Sequence, residues 1–152
     1  KPVQLWFEPG KYLVSESGLL AVTVNVVKEN PNKTFVHVDS GLNHLIRPMM
    51  YDAHHDIVQV SNPTFEKGTA VYDVVGYICE TDTFGKDREL PLVSQGDILG
   101  IKNAGAYAFS MSSNYNSRIR PAEVLLLGGK DYLIRERETL ADILKNQILI
   151  DL

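Results

Sequence analysis

One cysteine, Cys79, is all the chain has. No disulfide can therefore form within it, and that usage fits a reducing cytoplasm. No apolar run approaches the ~20 residues that a membrane-spanning helix needs, and no signal peptide opens the chain. Positive charge is not in excess: 15 Lys and Arg against 19 Asp and Glu leave a net charge of −4. That balance argues against a nucleic-acid or anionic-membrane surface. His54 and His55 are adjacent instead of spaced as metal ligands, with no cysteine or carboxylate set of the zinc type beside them, so no metal site is expected. Gly128-Gly129-Lys130 lacks a phosphate-loop pattern and reads as a hairpin turn. Internal repeats and low-complexity tracts are missing too. What remains is a globular inventory, 152 residues of which 44% are hydrophobic, enough for one domain with a real core.

Strand signals dominate. Residues 3–7 form a short apolar run ending at Pro9-Gly10, as a buried strand feeding a turn would. Residues 21–28 alternate, with Val22, Val24 and Val26 on one face. Asn30-Pro31-Asn32 is a turn, and residues 34–39 alternate again with Val36 and Val38 inward. Residues 42–54 look irregular, with Pro48 pushing Arg47 to extended geometry. Further strands are expected at 56–60, 70–79, 97–102, 123–127 and 132–135, with a polar loop over 81–89 and a solvated charged face over 135–138. A helix begins after Thr139, which pairs with Asp142 as a capping box, and Leu140, Ile143 and Leu144 give its apolar side. Many strands at short spacing make the fold mainly β, an antiparallel sandwich or Greek-key barrel with a few short helices.

Chemistry-bearing residues stand out against this background. Residues 103–123, NAGAYAFSMSSNYNSRIRPAE, mix small residues, two tyrosines, serines and asparagines and end in Arg118-Ile-Arg120-Pro121. The segment suits either a buried polar turn or the lining of a polar ligand site. Arg47 lies between Ile46 and Pro48, an odd place for a solvated charge; it either makes a structural ion pair or presents its planar fork to a carboxylate. Cys79 precedes Glu80 at an expected strand end, where it is either an inert small residue or a proton donor beside an amine-binding carboxylate. Tyr107 can pack in the core, or lay its ring along a heteroaromatic ligand while its hydroxyl bonds a polar group. Gly10, without a Cβ, permits a close approach to its backbone.

Four ordered stretches carry a resemblance. They are Glu8-Pro9-Gly10-Lys11; Asp39-Ser40-Gly41 through Arg47-Pro48 and Tyr51-Asp52-Ala53; Cys79-Glu80 with Gly85-Lys86-Asp87-Arg88-Glu89-Leu90; and GAYAFSMSSNYNSRIRPAE. Together they resemble the C-terminal β-domain of the diaminopimelate decarboxylase family, fold type III pyridoxal-phosphate enzymes of lysine biosynthesis. The match covers nearly the whole chain.

The resemblance implies a larger enzyme whose (β/α)8 barrel, with its Schiff-base lysine, is absent here. Residues 1–11 would then be the end of the last barrel strand with the cofactor loop, and 12–152 the β-domain. By itself the chain is expected to be inactive. The complete enzyme would decarboxylate meso-2,6-diaminopimelate to L-lysine and CO2 with pyridoxal 5′-phosphate, as a cytoplasmic homodimer with shared active sites. In those terms Glu8, Pro9, Gly10, Lys11 and Tyr107 are cofactor residues, and Lys11, Arg47, Tyr51, Glu80 and Tyr107 contact substrate. Cys79 is the catalytic proton donor. Lys11 departs from the family's usual arginine, keeping the charge but losing the fork. Two rivals stay open: a same-fold decarboxylase of ornithine, arginine or carboxynorspermidine, and a stand-alone β-domain that binds a partner or a small acid.

Overall fold

Alternating valines found the core. The computed structural model describes residues 2–61 and 68–150; Lys1 and residues 151–152, at the outer ends of the two expected segments, lie outside them. Strand β1 (Leu20–Glu29) buries Val22 and Val24, and β2 (Thr34–Val38) buries Val36 and Val38 against them. A register shift between Val24 and Val26 turns Val26 outward, and Val27 packs on the core in its place. One extra residue in a ladder reverses the side-chain alternation beyond it, which pure alternation could not foresee.

Four more strands complete the main sheet: β3 (Ile57–Gln59), β4 (Thr69–Val75), β5 (Thr83–Pro91) and β6 (Ile98–Ile101). Their order is β3-β6-β1-β2-β4-β5. All neighbouring pairs are antiparallel except β2–β4. The outer strands β3 and β5 also touch, so the sheet nearly closes into a barrel. Leu45, Val74, Phe84, Leu99 and Ile101 fill the interior with the β1 and β2 valines. Beyond it, β7 (Glu123–Leu127) and β8 (Lys130–Arg135) form a hairpin whose turn places Gly128 and Gly129 at φ of 59° and 75°, as the glycine pair anticipates. Helix α2 (Leu140–Leu144) starts at the expected capping box, with the Thr139 amide donating to Asp142 Oδ2 at 2.7 Å.

Four local expectations give way. Residues 3–7 are not a strand, and Val3, Leu5, Trp6 and Phe7 are exposed; a strand exists only by pairing, and no described strand lies beside them. The 70–79 strand ends at Val75, after which the chain turns through Gly76 to Asp82. The supposed polar loop 81–89 is largely β5, where Phe84 and Leu90 point inward and Lys86, Asp87 and Glu89 outward. Arg47 is helical, the first residue of α1 (Arg47–Tyr51), because Pro48 falls in the first turn, where its missing N–H costs nothing.

Two glycines join the sheet to the segment before it. The 3-10 turns Gly10–Leu13 and Ser15–Ser17 precede β1. They are tied to the loop after β6 by Ser15 Oγ donating to Asn103 O (3.1 Å), Gly105 N to Ser15 O (3.0 Å) and Ala104 N to Gly18 O (2.9 Å). The backbones meet so closely that a Cβ on Gly105 would lie 1.8 Å from Val14 O, and one on Gly18 2.4 Å from the Gly105 nitrogen. Backbone atoms cannot step aside as a side chain can. Gly105→Ala should therefore lower the unfolding free energy by about 3 kcal/mol in urea denaturation. Gly128→Asn, at a left-handed position with open space around it, should stay within about 0.5 kcal/mol. Equal midpoints for the two variants would show that the contact carries no load.

Candidate active site

The glycine contact delivers Gly10 and Lys11 to the foot of Tyr107. Gly10 has φ of 48°, and a Cβ there would sit 3.4 Å from Tyr107 Oη, so the open side of this glycine faces the hydroxyl. Tyr107 itself adopts φ of 46°, a conformation that tyrosine holds only when its surroundings impose it. The Arg47 guanidinium lies 5.4 Å from the Tyr51 ring centre and 5.9 Å from that of Tyr107, within reach of both π faces. Glu8 and Pro9 precede the first 3-10 turn and are exposed, with Pro9 O accepting from the Tyr12 amide at 3.1 Å.

Among the described residues Arg47 has no carboxylate partner, and its buried Nε makes no hydrogen bond. A structural ion pair is thereby excluded among them, and a half-buried cation stays available. Close by, the buried ring of His55 donates from Nδ1 to Lys102 O at 2.7 Å, since a carbonyl can only accept. Burial pushes its pKa down, and the positive charges of Lys11, Arg47 and His54 push the same way. His54 sits outside, 3.1 Å from Asp56 and 2.9 Å from the Arg88 guanidinium. Both histidines are thus engaged by groups of the chain itself.

Cys79 and Glu80 form a second group, in the turn between β4 and β5. Asp82 builds that turn: its buried carboxylate accepts the amides of Leu42 (2.8 Å) and Ile78 (2.9 Å), and its carbonyl accepts the Gly76 amide (2.8 Å). Burial raises the Asp82 pKa, with the two amides pulling against it. Gly41 and Gly76 pack so near this carboxylate that a Cβ on either would lie 2.6 and 2.2 Å from it. On this base Cys79 and Glu80 are exposed. Cys79 Sγ donates to Glu80 Oε2 at 3.3 Å, and the Tyr115 hydroxyl donates to Glu80 Oε1. The Tyr115 bond is the main reason the Glu80 carboxyl lies below its usual range, followed by a bond from its own backbone and one from Cys79.

The loop carrying Tyr115 is held from behind. Arg120 donates to Ser112 Oγ (2.9 Å), Asn114 Oδ1 (3.1 Å) and Glu138 Oε1 (2.7 Å), while Asn114 Nδ2 donates to Glu138 Oε2 at 2.6 Å. Burial pushes the Glu138 carboxyl up, but the bonds from the Arg120 amide and guanidinium and from Asn114 outweigh it and leave the pKa lowered. The charged run 135–138 is thus only partly a solvated face. Glu138 is half-buried in this network, and Arg135 stands 4.0 Å over the Phe109 ring and pairs with Glu123.

The structure therefore brings Gly10, Lys11, Arg47, Tyr51 and Tyr107 together, and Cys79 together with Glu80 and Tyr115. Among the described residues no hydrogen bond or cation–ring contact links the two groups. Sequence reasoning did not single out Tyr115, Asp82 or the Arg120–Glu138 pair. For Tyr115 the signal was present, a tyrosine amid amides and hydroxyls, but its partner lies 35 residues away. No cluster of three metal-ligating side chains occurs among the described residues.

The chain has known relatives. Residues 11–105 match the family model described as pyridoxal-dependent decarboxylase, C-terminal sheet domain. The chain belongs to that family. It is 50% identical over 141 residues to the diaminopimelate decarboxylase of Methanothermobacter thermautotrophicus, covering 92% of this chain and 32% of that protein. With the enzyme of the same name from Haemophilus influenzae it shares 46% over 142 residues, covering 93% and 34%. The crystal structure of diaminopimelate decarboxylase from Methanocaldococcus jannaschii superposes with a TM-score of 0.85 at 43% identity, over 94% of this chain and 32% of that one. The chain thus spans about a third of the length of these relatives. A lysine/ornithine decarboxylase from Vibrio vulnificus, 19% identical with a TM-score of 0.61, shares the fold.

Two buried imidazoles give the fold a pH signature. His44, between Ser40 Oγ (2.9 Å) and Ile119 O (2.9 Å), is like His55 shifted below the ordinary 6.5, chiefly by burial. As pH falls, the unfolded chain takes up these protons first. The stability contributed by neutral rings is complete above about pH 6.5 and is lost as pH drops through the folded-state values. Urea midpoints should therefore decline as pH falls below about 6.5. His55→Asn, which keeps a donor for Lys102 O, should flatten that decline; an unchanged slope would remove His55 from the cause.

Proposed function

We propose that the full-length protein is a pyridoxal 5′-phosphate-dependent decarboxylase that converts meso-2,6-diaminopimelate to L-lysine and CO2. It would act in the cytoplasm as a homodimer whose active sites are shared between subunits. Arg47 carries this reading. It is a half-buried guanidinium bracketed by Tyr51 and Tyr107 with no carboxylate partner among the described residues, and a distal carboxylate of the substrate would supply one. The names of the relatives point the same way.

The residues present fit an anionic, planar cofactor. Gly10 opens its Cβ-free side toward the Tyr107 hydroxyl, and Lys11 supplies positive charge beside it. Glu8, Pro9, Gly10, Lys11 and Tyr107 would hold the group, with the Tyr107 ring along its plane. When bound, the cofactor draws electrons from the substrate carbon that loses CO2. The chain's own residues do the rest. Arg47 and Tyr51 fix the distal carboxylate, Lys11 adds charge without a fork, and Glu80, kept ionised, accepts the distal ammonium. Cys79 gives its thiol proton to the carbon that has lost CO2. An ammonium arriving at Glu80 competes for the oxygen to which the thiol donates, which frees that proton for transfer.

Among the described residues no hydrogen bond or cation–ring contact joins Glu80 and Cys79 to Arg47 or Tyr107, and Glu80 and Cys79 are exposed. Each group would then complete its counterpart on a second subunit. Substrates without a distal carboxylate leave Arg47 half-buried and unpaired, a cost that disfavours ornithine or arginine. Parallel assays of the full-length enzyme on diaminopimelate, ornithine, arginine and carboxynorspermidine test the assignment, and preference for any of the last three would overturn it.

In that enzyme Arg47→Lys should raise KM for diaminopimelate roughly 10- to 100-fold, the worth of a charge-assisted bidentate bond. Unchanged kinetics would return Arg47 to a structural role. Cys79→Ala should lower kcat by ~100- to 10,000-fold with little change in binding, if proton transfer limits the rate. Mixing that variant with one lacking the barrel lysine tests delivery between subunits. Random pairing should recover roughly a quarter of wild-type activity; no recovery from confirmed heterodimers would place the thiol in its own subunit's site.

A further inference from the structure

Tyr115 is the residue for which neither the fold nor the reaction as described accounts. Its ring is 44% exposed, so packing does not explain it, and its hydroxyl spends its one proton on Glu80 Oε1. Glu80 Oε2 receives the Cys79 thiol at 3.3 Å. Both carboxylate oxygens are thus engaged from within the chain, one by each neighbour.

The geometry points to Tyr115 as the positioning residue for Glu80, holding the carboxylate in one orientation for a substrate ammonium. This rests on the reading of Glu80 given above and names a residue which that reading leaves out.

Three observations support it. First, the tyrosine is preorganised. Asn114 is bonded to Arg118 O (3.0 Å), to Glu138 (2.6 Å) and to Arg120 (3.1 Å), and Ser113 N donates to Asn43 O (2.8 Å). Asn116 and Ser117 follow at φ of 54° and 56°. Such conformations in consecutive non-glycine residues persist only where surrounding contacts impose them. Second, the two ends of the bond shift in the sense it requires. The Tyr115 hydroxyl pKa is raised, first by its bond to Glu80, and the Glu80 carboxyl is lowered, first by its bond to Tyr115. The proton stays on the tyrosine and the charge on the glutamate. Third, the turn beneath Glu80 is fixed separately by Asp82. Backbone position and carboxylate orientation therefore have different keepers, and losing the hydroxyl leaves the turn standing.

A free glutamate at the surface samples several rotamers, and an ammonium must select the productive one. Pre-setting it lowers that entropic cost. The effect belongs to substrate capture, so KM should respond and kcat should not.

The test uses the full-length, cofactor-loaded enzyme and three variants: Tyr115→Phe, Glu80→Gln and the double variant. Tyr115→Phe should raise KM for diaminopimelate about 10-fold, with kcat within about twofold of wild type. Glu80→Gln should raise KM at least as much, and the double variant should be no worse than Glu80→Gln alone, because Tyr115 acts only through that carboxylate. Thermal melting of each variant reports folding separately, and a purely structural tyrosine would lower the melting temperature and add its effect in the double variant. If Glu80→Gln raises KM while Tyr115→Phe does not, or if the two effects add, the positioning role is wrong and the reading of Glu80 stands. If Glu80→Gln leaves KM unchanged, that reading fails and this proposal falls with it.

Discussion

The close meeting of Gly18 and Gly105 is the constraint on which the rest depends. Two backbones approach to a distance that excludes any Cβ, and the three hydrogen bonds around the contact leave little freedom in how the chain before β1 meets the loop after β6. Gly10 and Lys11 lie on one side of this contact and Tyr107 on the other. Without it the leading segment, whose apolar side chains are largely exposed, has nothing among the described residues to fix it against Tyr107. Proximity of backbone, not side-chain packing, therefore assembles the first group of site residues.

The second group is assembled by charge. Asp82 brings a carboxylate indoors, and its cost is offset by two amides that would otherwise lack partners in the turn. Glu138 does the same for Asn114 and Arg120. Such networks specify geometry sharply because a partly satisfied one is worse than none. Loops of serine, asparagine and glycine, which have little apolar surface to bury, thus become rigid supports for Cys79, Glu80 and Tyr115.

This division decides what the sequence could reveal. Strands β1 and β2, the β7–β8 hairpin and the capped helix α2 were legible because each follows from a local pattern: alternation, a glycine pair, a capping box. Residues 3–7 pair with no described strand, because strand formation depends on a neighbour that no local pattern supplies. β5 was hidden because its middle is charged and partly exposed, with Lys86, Asp87 and Glu89 outward, and looks like a loop. The parallel pairing of β2 with β4 has no local signature at all. Arg47, Tyr107, Cys79 and Glu80 stood out through motif context, whereas Tyr115 needed the contact across 35 residues to become visible.

The two groups carry opposite charge. Lys11 and Arg47 make the first group cationic, with the neutral ring of His55 at its back. Glu80, held ionised, makes the second anionic. Among the described residues the two do not neutralise each other: Arg47 has no acid there, and the bonds Glu80 receives come from groups that donate without positive charge. A half-buried cation left without a counter-ion costs stability, so its persistence beside two tyrosine rings is expensive unless a ligand supplies the anion. On the proposed reading, a molecule bearing both a carboxylate and an ammonium at its far end meets both demands at once. A diamine or a simple amino acid meets one at most. Selectivity would then come from what a wrong substrate leaves unpaired more than from any contact it gains.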